Sequence, residues 1–329
     1  KNGNIVAGFY AGRTHDIIEC EDCLLGVEEN KDILGIIKGF MRVHGIRPYD
    51  ETTHKGLVRH ALIRKGFHSG EIMVCLVING KDIPAKEQLV EELCQVKGMT
   101  SISYSINQEK TNVIMGKEIV NLYGPGYITD NIGNVTYQIS PLSFYQVNPV
   151  QTEKLYGTAL EYAGLTGKER VIDAYCGTGT IGLIAASKAK EVIGVELNRD
   201  AVKDAVINAK RNNIKNEQFY NADAGKFMVE LAEQNEKVDV VFMDPPRAGS
   251  DEAFLSSVVK LAPKKVVYVS CNPETLARDL KYLTRHGYQA VECQPCDMFP
   301  FTKHVECVCL LTKPHEAKHH VNATPDMDR

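Results

Sequence analysis

Arg170-Val171-Ile172-Asp173-Ala174-Tyr175-Cys176-Gly177-Thr178-Gly179-Thr180-Ile181-Gly182 is the stretch that decides the fold. A short apolar run ends in a glycine-rich turn, and the turn opens into helix-compatible sequence, as a parallel strand does when it feeds a helix over a bound cofactor. The glycines spell G-x-G-x-x-G, and Gly177 and Gly179 allow the backbone to approach a ligand closely. Alone, the motif suits a dinucleotide fold or a plain structural turn equally well. Outward from it, strands are expected over 170–174, 191–196, 217–222, 238–243 and 265–270, with helices between them. This regular alternation predicts an α/β, doubly wound parallel sheet. A helix over 150–163, stopped by Gly164, precedes it. Two strands follow at 288–294 and 304–311, and their short connection predicts an antiparallel pair at the sheet edge.

At 329 residues the length suggests about two domains. The chain is 43% hydrophobic and 24% charged, ordinary values for a globular protein with room for sizeable cores. The first 135 residues read as a smaller α+β module. Strands are expected at 57–64 and 71–78 as a hairpin, then a helix at 84–96, short strands at 101–106 and 113–115, and a second hairpin over 127–139 turning at 131–134. The division expected is therefore 1–135, 136–314 and a disordered tail at 315–329. The chain opens Lys1-Asn2-Gly3 without Met, and no signal peptide is visible. No apolar run of about 18 residues marks a membrane span. Ten cysteines at irregular spacing do not look like a secreted disulfide scaffold, and a reducing cytoplasm is the expected location.

The net charge of −4 carries no global argument for nucleic acid. Its distribution is uneven: seven acidic residues against one Lys lie between Asp16 and Asp32. Arg42, Arg47, Lys55, Arg59, Arg64 and Lys65 cluster further on. That cluster can neutralise phosphates or form a solvated face.

Strand ends place the chemistry. Ligands of open α/β sheets sit beyond the carboxyl ends of the strands. Glu196 ends the second strand, where a carboxylate can accept two hydrogen bonds from a ribose diol. Asp223 ends the third, suited to an adenine amine or to capping the next helix. Asp244-Pro245-Pro246-Arg247-Ala248-Gly249 ends the fourth, its prolines stiffening the loop that presents Asp244. Ser270-Cys271-Asn272-Pro273 ends the fifth. A thiol there can meet a substrate, although free Cys more often fills a core.

Taken together, these motifs resemble the RNA uracil-5-methyltransferases. Ser143-Phe144-Tyr145-Gln146-Val147-Asn148-Pro149, the glycine loop, Asp-Pro-Pro-Arg-Ala-Gly, Ser-Cys-Asn-Pro and His304-Val305-Glu306-Cys307 occur in that family's order over roughly 143–311. The chain looks like the bacterial branch acting on 23S ribosomal RNA, with the tRNA-modifying branch a close relative. The first half resembles the family's central domain, while the small upstream RNA-binding barrel of many members has no counterpart in these residues. The resemblance implies a class I, Rossmann-like methyltransferase domain with a mixed seven-stranded sheet. Gln146, Tyr175, Glu196 and Asp244 are implied to contact S-adenosylmethionine, with Cys271 as nucleophile and Glu306 as base. It further implies a structured RNA partner, 23S ribosomal RNA first, with no membrane partner and a monomer as the default state.

The chemistry explains the two catalytic residue types. Uracil C5 is a poor nucleophile until a thiolate adds at C6, and a base must later remove the C5 proton. A Cys with pKa near 8.5 is mostly thiol at pH 7, so a lowered value is expected for Cys271. Arg247 or a backbone N–H is expected to face the enolate oxygen. The base must leave its stack, which favours a loop or bulge, and Phe40, Tyr49 and Phe67 are candidate stacking surfaces. Cys20 and Cys23 form a C-x-x-C pair in which Cys23 resembles the last of four cluster cysteines found in some relatives. The upstream three are absent from this sequence, two cysteines make no iron–sulfur site, and no metal is expected. Cys293-x-x-Cys296 with Cys307-x-Cys309 suits packing better than a metal centre. Competing readings are an RNA cytosine-5-methyltransferase, an NAD-dependent dehydrogenase and an RNA-binding protein without catalysis. The first typically carries Cys after Pro in the fourth-strand motif, and none stands there.

Overall fold

The computed structural model describes residues 3–20, 22, 23 and 25–314, so the tail expected to be disordered lies outside the described residues. A short antiparallel pair comes first, β1 (Gly8–Tyr10) with β2 (Ile17–Glu19). Helix α1 (Asn30–Val43) follows and buries Ile33, Ile37, Phe40 and Met41, one face at helical spacing. Then come β3 (Val58–Lys65), β4 (Ile72–Ile78), α2 (Lys86–Leu93), β5 (Met99–Ile106) and β6 (Glu118–Tyr123). The four strands form one sheet in the order β3-β4-β5-β6. Every residue of β4 is buried, as its unbroken apolar run requires, and α2 provides the crossover to the parallel β5.

No strand forms at 113–115. The side-chain amide of Asn107 donates to the carbonyls of Val113 and Ile114 at 2.7 and 2.9 Å, so these groups are satisfied in a loop rather than a ladder. The helix α1 is also not among the expected elements.

The hairpin of β7 (Ile128–Ile132) and β8 (Val135–Ile139) packs into the same core as α3 (Pro149–Ala163). Beyond it the chain alternates: β9 (Arg170–Ala174), α4 (Thr180–Ala186), β10 (Glu191–Glu196), α5 (Arg199–Arg211), β11 (Glu217–Asn221), α6 (Ala224–Glu233), β12 (Val240–Met243), α7 (Glu252–Leu261), β13 (Lys265–Ser270) and α8 (Pro273–Arg285). The last strands are β14 (Gln289–Cys296) and β15 (Glu306–Thr312). The large sheet runs β11-β10-β9-β12-β13-β15-β14 and is parallel except for β15, which pairs antiparallel with both neighbours. Its two faces build separate apolar cores, one against α3, α4 and the β7–β8 hairpin, the other against α6, α7 and α8. The final pair is antiparallel as expected, but only β14 is an edge strand, and β15 is wedged inside the sheet. Cys293 and Cys309, register partners on these strands, form a disulfide that spacing alone does not reveal. No helix among the described residues is long and apolar enough to cross a membrane.

Candidate active site

The glycine loop leaves β9 through Tyr175, whose φ of +65° is a left-handed backbone in a residue with a side chain. Its phenol hydroxyl lies 3.2 Å from Ser250 Oγ and its ring 5.3 Å from that of Phe254. Burial holds that hydroxyl at a pKa of about 12. Gly177 has φ +55°, and a Cβ placed there would meet nothing within 4 Å, so the loop presents bare backbone to open space. Beside it, Glu196 accepts Gly177 N at 3.1 Å on one oxygen and Asn198 N at 2.7 Å on the other. Each oxygen keeps a second lone pair for a ligand. Asp223 caps α6, accepting Lys226 N at 3.0 Å, so the capping role foreseen for it is realised. Beneath the loop, buried Asp173 accepts Gly182 N at 2.7 Å and fixes the start of α4.

Cys271 and Glu306 are brought together by strand register. Ser270 pairs with Cys307, so the next residue on β13 and the preceding one on β15 are Cys271 and Glu306, at the carboxyl edge of the sheet. Glu306 is only 5% exposed, which removes the alternative of a solvated edge carboxylate. Burial raises its pKa, with Arg247 opposing. Asp244, at the end of β12, is pushed up to about 8 by burial, with the carboxyls of Glu306 and Asp173 adding to the rise. The Cys271 thiol is likewise raised, by burial first and then by Glu306 and Asp244, while Arg247 again opposes. The lowered thiol expected from the sequence is thus not realised in these surroundings. Asp244, Cys271 and Glu306 thus raise one another or are raised by burial, while Arg247 opposes the rise at Cys271 and Glu306.

Two loops hold this arrangement. Asn272 Nδ2 and Thr275 Oγ1 donate to Arg247 O at 3.0 and 3.3 Å, tying the Ser-Cys-Asn-Pro turn to the Asp-Pro-Pro-Arg turn. Below them Asp279 accepts Ser250 N, Tyr268 Oη and Arg278 Nε at 2.9, 2.7 and 2.8 Å. Gln146 bonds through its side chain to the buried phenol of Tyr156, whose ionisation is suppressed by burial and then by Asp244. Asp130 reaches across from the β7–β8 hairpin, accepting Tyr145 Oη at 3.2 Å and the amides of Phe67 and His68 at 2.8 Å. Asp130, Tyr156 and Asp279 carry no motif signal; the signal that could have found Asp173 is its place one residue before the end of β9, just ahead of the glycine turn.

The expected phosphate surface is partly structural. Arg59 donates to Asn107 O and Glu109 O, Arg64 donates to Ser143 O at 2.7 Å, and Lys65 pairs with Glu29 at 2.6 Å. Phe40 is 2% exposed and cannot stack on a base, whereas Phe67 is exposed and Tyr49 is partly exposed, under the guanidinium of Arg59.

A strand order with one antiparallel intruder, a glycine loop facing open space and an acid at the second strand end define a Rossmann-like S-adenosylmethionine-dependent methyltransferase. Within that class the chain belongs to the tRNA (uracil-5-)-methyltransferase family, whose model matches residues 67–314. A Clostridium tetani protein described as an uncharacterized RNA methyltransferase is 46% identical over 313 residues, 95% of this chain and 68% of that one. A Halalkalibacterium halodurans protein of the same description is 47% identical over 312 residues, 94% of this chain and 68% of that one. The solved structure of a Pyrococcus abyssi tRNA (uracil-54, C5)-methyltransferase with S-adenosyl-L-homocysteine is 30% identical, with a TM-score of 0.79, over 90% of this chain and 70% of that one. These likenesses set aside the dehydrogenase reading, and the cofactor is S-adenosylmethionine.

Proposed function

We propose that this protein methylates C5 of uridine in 23S ribosomal RNA through a covalent adduct between Cys271 and uridine C6. The observation that carries the reading is the β13–β15 register, which sets the thiol beside a buried carboxylate and near Asp244. In this reading the Cys271 thiolate adds to C6, and the electrons of the C5–C6 double bond move towards O4. The cofactor would supply an electrophilic methyl group on a positive sulfonium, the S–CH3 bond breaking with its electron pair left on sulfur as a neutral thioether while the methyl passes to C5. Glu306 then removes the C5 proton, the double bond re-forms and the thiolate leaves. A carboxylate with a raised pKa is a stronger base than one in water, which suits removal of a carbon-bound proton. Arg247, exposed on the Asp-Pro-Pro-Arg turn, would face the developing oxyanion. Gln146, Tyr175, Gly177, Gly179, Glu196, Asp223 and Asp244 would hold the cofactor. The units assigned are an α+β part over 1–135 with RNA contacts and a methyltransferase part over 136–314, with the β7–β8 hairpin at their junction. A monomer acting in the cytoplasm completes the reading.

The test is covalent trapping. RNA in which uridine is replaced by 5-fluorouridine cannot lose its C5 substituent as a proton, so a cofactor-dependent adduct should accumulate and resist denaturing electrophoresis. An adduct that survives Cys271→Ala, or no adduct with unaltered protein, overturns the mechanism. The Pyrococcus relative favours a second reading, in which the substrate is tRNA. Mass-spectrometric mapping of 5-methyluridine in a deletion strain separates the two: loss confined to tRNA would replace ribosomal RNA as the substrate.

A further inference from the structure

Between β14 and β15 the chain leaves the sheet at its catalytic edge, directly before Glu306. The base of this loop is firmly held. Met298 is wholly buried, its carbonyl accepts Asn148 Nδ2 at 3.2 Å, and its sulfur lies 3.8 Å from Thr152 Oγ1. Phe299 packs against the core, and its carbonyl accepts both Thr302 N and Thr302 Oγ1, at 3.2 and 2.7 Å. Phe301 stands at the tip of this tight turn, 96% exposed and with φ of +64°. Neither feature helps the chain fold. A large ring in water gains no burial, and a left-handed backbone disfavours any residue with a Cβ. Such an outlier, fixed by its surroundings yet unused by them, points to a ligand.

The surroundings specify which ligand. Lys303 is exposed two positions along, and Arg247 is exposed on the turn beside Cys271. Phe144, 73% exposed, stands on the loop that Asn148 ties to Met298. Aromatic faces interleaved with cations beside a nucleophile match an unstacked base with its phosphate. An apolar protein partner would have no use for the cations.

Resting on the RNA-methylation reading above, we propose that Phe301 stacks on an unpaired base adjoining the target uridine and so holds the RNA open while that uridine occupies the site. The two variants that test this are Phe301→Gly, which removes the ring and suits the backbone, and Phe301→Tyr, which keeps the ring. Both are scored by thermal midpoint and by the concentration of 5-fluorouridine-containing 23S ribosomal RNA or tRNA transcript that half-saturates adduct formation. Phe301→Gly should keep or raise the midpoint while the half-saturating concentration rises about tenfold or more, and Phe301→Tyr should restore it. Trapping by Phe301→Gly at the concentrations that suffice for unaltered protein overturns the inference. So does a fall in its midpoint, which would make the ring structural. A change in self-association with unchanged trapping overturns it too, assigning the tip to a contact between copies. Absence of adduct with unaltered protein on either transcript instead refutes the methylation reading, and this inference falls with it.

Discussion

Replacing Asp279 with Ala should damage both stability and catalysis, although the residue lies outside every recognisable motif. Its carboxylate is 0% exposed and accepts from Ser250 N, Tyr268 Oη and Arg278 Nε. Ser250 and Tyr268 are buried too, so Asp279→Ala leaves two donors without an acceptor. Each orphaned buried donor costs about 1–3 kcal/mol, and two in one network add incompletely, giving about 3–4 kcal/mol here. The Arg278 end contributes less because that side chain is half exposed. For a chain of this size the loss corresponds to a fall in thermal midpoint of about 4–6 °C. Catalysis suffers because Arg278 Nη2 also donates to Ala248 O and Ser250 O, and Gly249, at φ +74°, passes too close to this pair for any Cβ. The turn bearing Asp244 and Arg247 is therefore shaped by the Asp279–Arg278 pair. Asp279→Asn keeps one carbonyl acceptor and should fall between the two. Circular-dichroism melting and transfer of a labelled methyl group from S-adenosylmethionine measure the two effects. A thermal midpoint for Asp279→Ala within about 1 °C of the unaltered protein would refute the reasoning.

Glu306→Gln should still form the adduct and methylate it, then stall, so that methylated RNA remains protein-bound by mass spectrometry; normal turnover would remove Glu306 as the base. Arg247→Gln takes away the cation opposing the raised Cys271 and Glu306 values, so both rise further and the acidic limb of the kcat/KM profile should move to higher pH. An unmoved limb would contradict that assignment. Burial pushes Asp173 up to about 7 and raises Glu217 as well, and three of their four carboxyl oxygens have no hydrogen-bond partner. The folded chain therefore holds protons that the unfolded chain releases near pH 4, so this contribution to stability is complete in acid and is lost as pH rises through about 7. Glu217→Gln should flatten the fall in melting temperature over that window, and a slope equal to the unaltered protein's would count against it.

Most of the large sheet was legible because its central strands are short apolar runs stopped by their own turn chemistry, as at Asp244-Pro245-Pro246 and Asn272-Pro273. The strands Arg170–Ala174, Glu191–Glu196 and Lys265–Ser270 fall where periodicity places them. Helix α1 escaped because its sequence carries a Gly at positions 35 and 39 and no capping side chain, leaving only the spacing of Ile33, Ile37 and Phe40 to announce it. The expected strand at 113–115 failed for the opposite reason: three apolar residues look β-prone until Asn107 takes their carbonyls. In the candidate site, residues at strand ends were readable as candidates because the fold assigns those positions to ligands. Tyr156, Asp130 and Asp279 were not, since each acts through hydrogen-bond partners brought together by tertiary folding, from 1 to 63 positions along the chain, and no fixed spacing marks them. The direction of the Cys271 shift depends first on burial and then on which charges surround it in space, and this too lies beyond sequence order.

The wedging of β15 between β13 and β14 also governs when the site comes into being. Cys271 directly follows β13, but its partner carboxylate Glu306 opens β15, and among the described strands β14 has no sheet neighbour until β15 is in place. During synthesis the cofactor half can collapse early, from strands already close in sequence, while the thiol waits for residues 306–312. A nascent chain that has emerged only as far as β14 thus carries the Cys271 thiol without the Glu306 carboxylate beside it.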